Sequence, residues 1–256
     1  MGKLQIFQFP CRDDNYGVIL HDAETGLTVS IDAPETEAIA DVLEDQGLTL
    51  TNIATTHHHG DHVAGNMALK NAHSCTIVGP QAEREKIPGI DERVEHGDSV
   101  DLLGHRFNVI ATGGHTLGHI AYHLPNDNLL FAGDCLFAMG CGRIFEGDAP
   151  MMHESLQRLA ALPEETIVYA GHEYTLANAK FALSVDGDNE ELKARARKVE
   201  YLRDDGKATL PTTIGIEKAT NPFLRCGDPA IRKTLDMESA TDAEVFAELR
   251  ARKDRF

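Results

Sequence analysis

Histidine and aspartate crowd one short stretch of this chain, Thr56-His57-His58-His59-Gly60-Asp61-His62. Extended backbone sends residues i and i+2 to the same side, so His57 and His59 project together while His58 points away. Asp61 and His62 follow at once and can turn toward a neighbouring point. Imidazole and carboxylate together suit zinc, iron or manganese. Ligand sites in sheets flanked by helices gather at strand ends, and Asn52–Thr55 reads as a strand running into the histidines.

Three more ligand-type residues share that placement. His115 follows a predicted strand ending near Ala111, in Gly113-Gly114-His115-Thr116-Leu117-Gly118-His119. Asp134 follows a predicted strand over Asn128–Ala132, in Ala132-Gly133-Asp134. His172 follows one over Thr166–Tyr169, in Ala170-Gly171-His172-Glu173. Adjacent glycines permit the tight turns that aim such side chains inward. The set is then His57, His59, Asp61, His62, His115, Asp134 and His172. A catalytic zinc takes about three protein ligands. Seven exceed that and divide into three, three and one shared, a shared carboxylate being able to offer one oxygen to each metal. A two-metal site is therefore expected. His119 is expected either to support it through a hydrogen bond or to pack beside it. His21, His73, His96, His105, His123 and His153 are read as structural or surface residues.

Composition narrows the function classes. The chain has 256 residues and a formal charge of −17 from 24 Lys and Arg against 41 Asp and Glu. Such a surface repels nucleic acid and anionic membranes. Apolar content of 42% and charged content of 25% are those of an ordinary globular chain. No stretch approaches the roughly 18 apolar residues of a membrane span, and the first residues lack the apolar core of a signal peptide. The five cysteines, Cys11, Cys75, Cys135, Cys141 and Cys226, are odd in number and form no C-x-x-C. A reducing, cytoplasmic location is expected.

Strands are expected at Leu4–Phe9, Gly17–Leu20, Leu27–Ile31, Cys75–Val78, Ser99–Leu103, Arg106–Ala111 and Ile120–Leu124, from their branched and aromatic residues. Helices are expected at Pro34–Gln46, stopped by Gly47, at Val63–Asn71 and at Met152–Leu162. Beyond Tyr174 the periodicity becomes helical, at Leu176–Ser184, Glu190–Asp204 and Thr241–Lys253, with a linker-like interval at Thr209–Asn221. The expected organisation is an α/β domain over residues 1–173 and a smaller helical domain over 174–256.

These motifs resemble the metallo-β-lactamase superfamily, whose T-H-x-H-x-D-H hallmark stands at 56–62, with Gly114-His115-Thr116 and Gly133-Asp134 similar to its later ligand motifs. More closely, the chain resembles the bacterial glyoxalase II (hydroxyacylglutathione hydrolase) family. The similar segments are Gly140-Cys141-Gly142-Arg143-Ile144-Phe145-Glu146-Gly147, His172-Glu173-Tyr174-Thr175 with Ala177-Asn178, Asn221-Pro222-Phe223-Leu224-Arg225 and Arg252-Lys253-Asp254. The resemblance implies an αββα sandwich with a smaller helical C-terminal domain that binds substrate. It implies two divalent metal ions, zinc first, with iron or manganese as alternatives. One would be held by His57, His59 and His115, the other by Asp61, His62 and His172, with Asp134 bridging.

The implied reaction is hydrolysis of an S-(2-hydroxyacyl)glutathione thioester, S-lactoylglutathione foremost, to glutathione and a 2-hydroxy acid (D-lactate), the second step of methylglyoxal detoxification. Asp61 and Asp134 would be the catalytic carboxylates around a shared hydroxide, and no protein nucleophile is needed. Cys135 and Cys141 are read as small buried residues. The resemblance implies substrate contacts at Arg143, Tyr174, Arg250 and Lys253. Arg143 stands where other members have Lys, and Phe145 where some have Tyr. Arg250 and Lys253 are i, i+3 on a predicted helix. With Arg143 they would offer an anionic thioester local positive charge on an acidic chain. The expected partner is this small molecule alone, with no nucleic acid, no membrane and a monomeric chain. A dioxygenase of the superfamily would use one iron, and a non-catalytic metal-binding module would show a broken ligand set.

Overall fold

Branched and aromatic residues near the start of the chain form one mixed sheet, because they pack well on a pleated, half-buried surface. The computed structural model describes residues 4–256; the first three residues of the expected 1–173 domain lie outside them. The elements of this part are β1 (Gln5–Cys11), β2 (Asn15–Asp22), β3 (Leu27–Ile31), α1 (Thr36–Gln46), β4 (Asn52–Ala54), α2 (Gly60–Val63), α3 (Asn66–His73), β5 (Thr76–Pro80) and β6 (Glu92–Val94). The strand order is β1-β2-β3-β4-β5-β6, antiparallel up to β3 and parallel beyond it. Parallel neighbours need crossovers, which α1 supplies between β3 and β4 and α3 between β4 and β5, while residues 81–91 connect β5 to β6. Gly47 ends α1 in the left-handed region at φ 64°, its N–H turned back to the Leu43 and Glu44 carbonyls. Ile19, Ile39, Leu43, Ile53, Leu69 and Ile77 form the buried core of this region.

Since β3 and β4 are parallel, the residues following each, Asp32 and Thr55–His57, emerge at the same sheet edge. A second set of strands continues the same unit: β7 (Ser99–Leu102), β8 (His105–Ala111), β9 (Ile120–Leu124) and β10 (Leu129–Phe131), an antiparallel meander. It grips the histidine loop. The Tyr122 hydroxyl donates to the Thr55 carbonyl at 3.0 Å, and the Ile120 N–H to that of Thr56 at 3.0 Å.

The remaining chain, Thr112–Leu117 with Asp134–Phe256, forms a second unit. It contains β11 (Leu136–Phe137), β12 (Gly140–Cys141), α4 (Ala149–Ala160), β13 (Ile167–Tyr169), α5 (Thr175–Val185), α6 (Glu190–Asp204), β14 (Thr212–Thr213), α7 (Ile214–Thr220), α8 (Pro229–Leu235) and α9 (Asp242–Arg255). The expected linker at Thr209–Asn221 is instead structured. Thr212 and Thr213 pair with β13, and the Thr213 hydroxyl caps α7 by accepting the Ile216 N–H. The short hairpin β11–β12 and helix α8 carry too few residues for periodicity to reveal. Met139, Ala179, Leu192, Ala196 and Val199 pack as a buried cluster. All five cysteines are buried free thiols. Among the described residues no helix is long and apolar enough to cross a membrane.

At the sheet end away from the histidine loop, His105 is buried between two carboxylates. Its Nε2 lies 3.0 Å from Asp22 and its Nδ1 2.9 Å from Asp127. Burial opposes the imidazolium, but the bonds to Asp22 and Asp127 outweigh it and raise the His105 pKa. The bond from His105, followed by turn amides, holds the Asp22 carboxyl down at about 2. A raised histidine pKa means stabilisation that is complete below the unfolded value of about 6.5 and lost as pH climbs through the folded value. His105→Gln is therefore expected to lower stability at pH 6, with the gap from the parent chain narrowing toward pH 9. Urea unfolding across that range measures it.

Candidate metal centre

In the first unit, four of the expected ligands are held by a buried carboxylate and its neighbours. Asp32 Oδ1 accepts the Thr56 N–H at 2.7 Å, and Oδ2 accepts the Thr56 hydroxyl at 2.9 Å. The same Oδ2 lies 2.8 Å from His62 Nδ1. An ionised carboxylate only accepts, so the proton sits on His62 Nδ1 and the Nε2 lone pair is exposed for coordination. The Thr56 hydroxyl, committed to Asp32 as donor, accepts from His57 Nδ1 at 3.0 Å. His57 Nε2 therefore also carries a lone pair, and it faces His59 Nδ1 at 3.1 Å. Asp61 Oδ2 lies 3.7 Å from His62 Nε2, and Asn15 Nδ2 donates to both the Asp61 carboxylate and its carbonyl at 3.2 Å.

Two histidines behave as supports. His58 turns to Glu83, its Nδ1 2.8 Å from Oε2, and its backbone N–H donates to the same oxygen at 2.7 Å. Glu83 Oε1 accepts the Gly118 N–H at 3.0 Å, tying the histidine loop to the loop that precedes β9. His119 is buried with its ring 4.8 Å from that of His57. Gly133, at φ 49°, leaves room for it: a Cβ there would stand 2.7 Å from His119 Nε2 and 2.8 Å from Thr56 Oγ1.

The second unit holds the other three. Asp134 is buried, with its Oδ2 3.4 Å from His115 Nε2 and 3.3 Å from His172 Nε2. His115 Nδ1 donates to the Arg143 carbonyl at 2.9 Å, which again leaves Nε2 as the coordinating nitrogen. The Tyr174 ring stacks on His172 at 4.7 Å and 5°. Phe145 is exposed with its ring 5.2 Å from that of His115.

These spacings fit a metal. Two ligand atoms at about 2.0–2.1 Å from one tetrahedral zinc stand about 3.3 Å apart. The paired atoms just described stand 3.1, 3.3, 3.4 and 3.7 Å apart. Histidine nitrogen and carboxylate oxygen are moreover the donors that zinc, iron and manganese share.

The four expected substrate contacts are all in the second unit. Arg143 is exposed, its Nε 3.9 Å from Asp254. Lys253 donates to the Ala177 carbonyl at 3.0 Å and lies over the rings of Phe181 and Phe256. Partial burial, then the nearby Arg250 charge, bring its pKa down to about 8. Arg250 is buried, and its two terminal nitrogens are engaged: Nη1 donates to the Cys141 carbonyl at 3.0 Å and the Gly142 carbonyl at 3.4 Å, and Nη2 to Asp254 at 2.9 Å. Burial drives the Cys135 and Cys141 thiols well away from thiolate formation.

Asp32, Asn15 and Glu83 are the polar supports absent from the expected set. Asp32 follows β3 much as Asp134 follows β10, but without a glycine beside it.

The metallo-β-lactamase superfamily model matches residues 24–172, and the model for the hydroxyacylglutathione hydrolase C-terminus matches residues 173–256. A hydroxyacylglutathione hydrolase of Rhizobium meliloti (strain 1021) is 60% identical over 100% of both chains. The crystal structure of ETHE1 from Myxococcus xanthus superposes with TM-score 0.69 at 28% identity, covering 96% of this chain and 90% of that one. TTHA1623 in a di-iron-bound form superposes with TM-score 0.63 at 25% identity, covering 85% and 100%. The fold is thus α/β of the metallo-β-lactamase type, with mixed sheets and a helical C-terminal domain, and its His and Asp clusters bind metal ions.

Asp32→Ala removes the carboxylate that fixes the His62 tautomer. It is expected to weaken zinc binding by about 10–100-fold, measured by chelator competition on the folded protein.

Proposed function

We propose that this chain, which belongs to the hydroxyacylglutathione hydrolase family of the metallo-β-lactamase superfamily, hydrolyses the thioester of S-(2-hydroxyacyl)glutathione, with S-lactoylglutathione as leading substrate. The products are glutathione and a 2-hydroxy acid, D-lactate in the leading case. The observation that carries the reading is Asp134, a buried carboxylate with one oxygen within 3.4 Å of two imidazole nitrogens. That is the disposition a shared ligand needs.

In this reading His57, His59 and His115 hold one divalent ion, Asp61, His62 and His172 a second, and Asp134 serves both. Zinc is the leading ion, with iron or manganese accepted by the same donors. Bound ions supply Lewis acidity near neutral pH, which hydrolysis without a protein nucleophile requires. The chain's own residues do the rest. Asp32, Thr56 and the Arg143 carbonyl keep protons on the Nδ1 atoms of His62, His57 and His115, so that each Nε2 stays basic. Asn15 fixes the Asp61 carboxylate. Residues 1–173 form the hydrolase domain and 174–256 the substrate-binding domain. Arg143, Tyr174 and Lys253 contact the glutathione moiety. Arg250 adds its charge to that group, and its Nη1 holds the Cys141 and Gly142 carbonyls beside Arg143. The thiolate is a good leaving group and needs little acid help.

Purified, metal-loaded protein is expected to consume S-lactoylglutathione, followed as loss of the thioester absorbance. Asp134→Ala is expected to abolish turnover and metal retention together; a fully active variant would refute the shared-ligand role. The Lys253 ammonium gives the second expectation. It is charged below about 8 and neutral above, so KM for the anionic thioester should rise as pH passes through 8. Lys253→Arg should flatten that rise, because a guanidinium stays charged.

A further inference from the structure

A hairpin joins the two ends of the chemistry proposed above: Asp134 precedes β11, and Arg143 follows β12. It has only two cross-strand pairs, Leu136 with Cys141 and Phe137 with Gly140. So short a ribbon does not hold its own shape in water. Its turn is also conformationally demanding, with Met139 at φ 53°, a region that a long side chain rarely adopts.

Buried side chains from the helical part supply the missing constraint. Glu217 is fully buried on α7. Its Oε2 accepts the Met139 N–H at 2.7 Å and Asn221 Nδ2 at 3.1 Å. Its Oε1 accepts the Thr212 hydroxyl at 2.8 Å and Arg195 Nη2 at 3.1 Å. Asn221 Nδ2 also reaches the carbonyls of Phe137 at 3.1 Å and Gly140 at 2.9 Å. Asn178 Nδ2 donates to the Ala138 carbonyl at 3.1 Å, and any side chain at Gly140 would run into it. Every residue from Phe137 to Gly140 is thus tied by a backbone group to a buried polar side chain. A buried carboxylate is costly unless each lone pair is met, and Glu217 has four donors for its two oxygens.

We propose that Glu217 is a positioning residue for thioester hydrolysis, acting through the Phe137–Gly140 turn to set where Arg143 meets the substrate; this rests on the activity proposed above. Both ends of the hairpin have backbone anchors of their own: Asp134 lies between His115 and His172, while the Arg143 carbonyl is held by His115 and the Cys141 and Gly142 carbonyls by Arg250. The Phe137–Gly140 turn between them has its side-chain anchors in Glu217, Asn221 and Asn178. The exposed Arg143 side chain lies at the end of that ribbon, so a shift of the turn is read out where Arg143 meets the substrate. Misplacement of a binding group by an ångström or less is enough to be felt in kinetics.

The test compares the parent chain with Glu217→Gln, which keeps the shape but sets an amide N–H₂ against the surrounding donors. Metal content, kcat, KM for S-lactoylglutathione and amide hydrogen exchange over residues 136–143 are measured on metal-loaded protein. The expected result is unchanged metal content, KM raised on the order of 10-fold, kcat within about 3-fold, and faster exchange in the hairpin. If Glu217→Gln does not fold, Asn178→Ala removes a single donor to the turn and should raise KM in the same direction by about 3-fold. A folded variant with parental KM overturns the inference while the activity stands. Equal loss of kcat and metal content overturns it too, since the residue would then serve only the general fold. A parent chain that binds metal but turns over no thioester overturns the activity reading, and this inference with it.

Discussion

The buried Asp32 carboxylate is the interaction from which the organisation of the histidine loop follows. It follows β3 at φ 56°, an uncommon conformation for a residue other than glycine. From there it takes three hydrogen bonds, two from Thr56 and one from His62. One side chain thereby joins the end of β3 to the loop after β4, fixes the tautomer of His62 directly and that of His57 through the Thr56 hydroxyl. Parallel β3 and β4 make this possible, because only parallel neighbours deliver their C-terminal residues to one edge. The chain of causes runs from sheet topology to carboxylate placement, then to proton placement, and so to the nitrogen lone pairs that a metal needs.

The second unit solves a different problem with the same chemistry. Asp134, His115 and His172 are carried on turns, and the segment between Asp134 and Arg143 is too short to be rigid alone. Glu217, Asn221, Asn178 and Arg250 provide the rigidity, each a buried polar side chain spending its hydrogen bonds on turn backbone. Charge follows the same local logic. The chain as a whole is at −17, yet Arg143, Arg250 and Lys253 are neighbours whose charges depress the Lys253 pKa in concert with burial. An anionic substrate responds to that local field, since exposed charges beyond about 8–10 Å are screened.

Much of this was legible in the residues. The i, i+2 spacing of His57 and His59 does place their nitrogens together, at 3.1 Å, and glycine beside a ligand-type residue after a strand led to His115, Asp134 and His172. Helix α6 matches its expected Glu190–Asp204 bounds, where helix formers follow an Asn cap. The rest was hidden for physical reasons. Asp32 has no glycine neighbour, and its conformation is held by tertiary bonds that no local pattern encodes. Thr209–Asn221 read as a linker because its turn residues are cap and strand-pairing residues, a use that depends on β13 far away in sequence. Arg250 was legible only as a cation at helical spacing from Lys253, read as a substrate contact. Its burial follows from contact with the Cys141 carbonyl, more than a hundred positions distant.

The central claim is that seven side chains hold two metal ions through one shared carboxylate. Anomalous X-ray diffraction at the zinc edge, from crystals of the zinc-loaded protein, tests it most directly. The account predicts two peaks per chain, both in contact with Asp134, one coordinated by His57, His59 and His115 and the other by Asp61, His62 and His172. A single fully occupied peak, or two peaks of which only one touches Asp134, would contradict it.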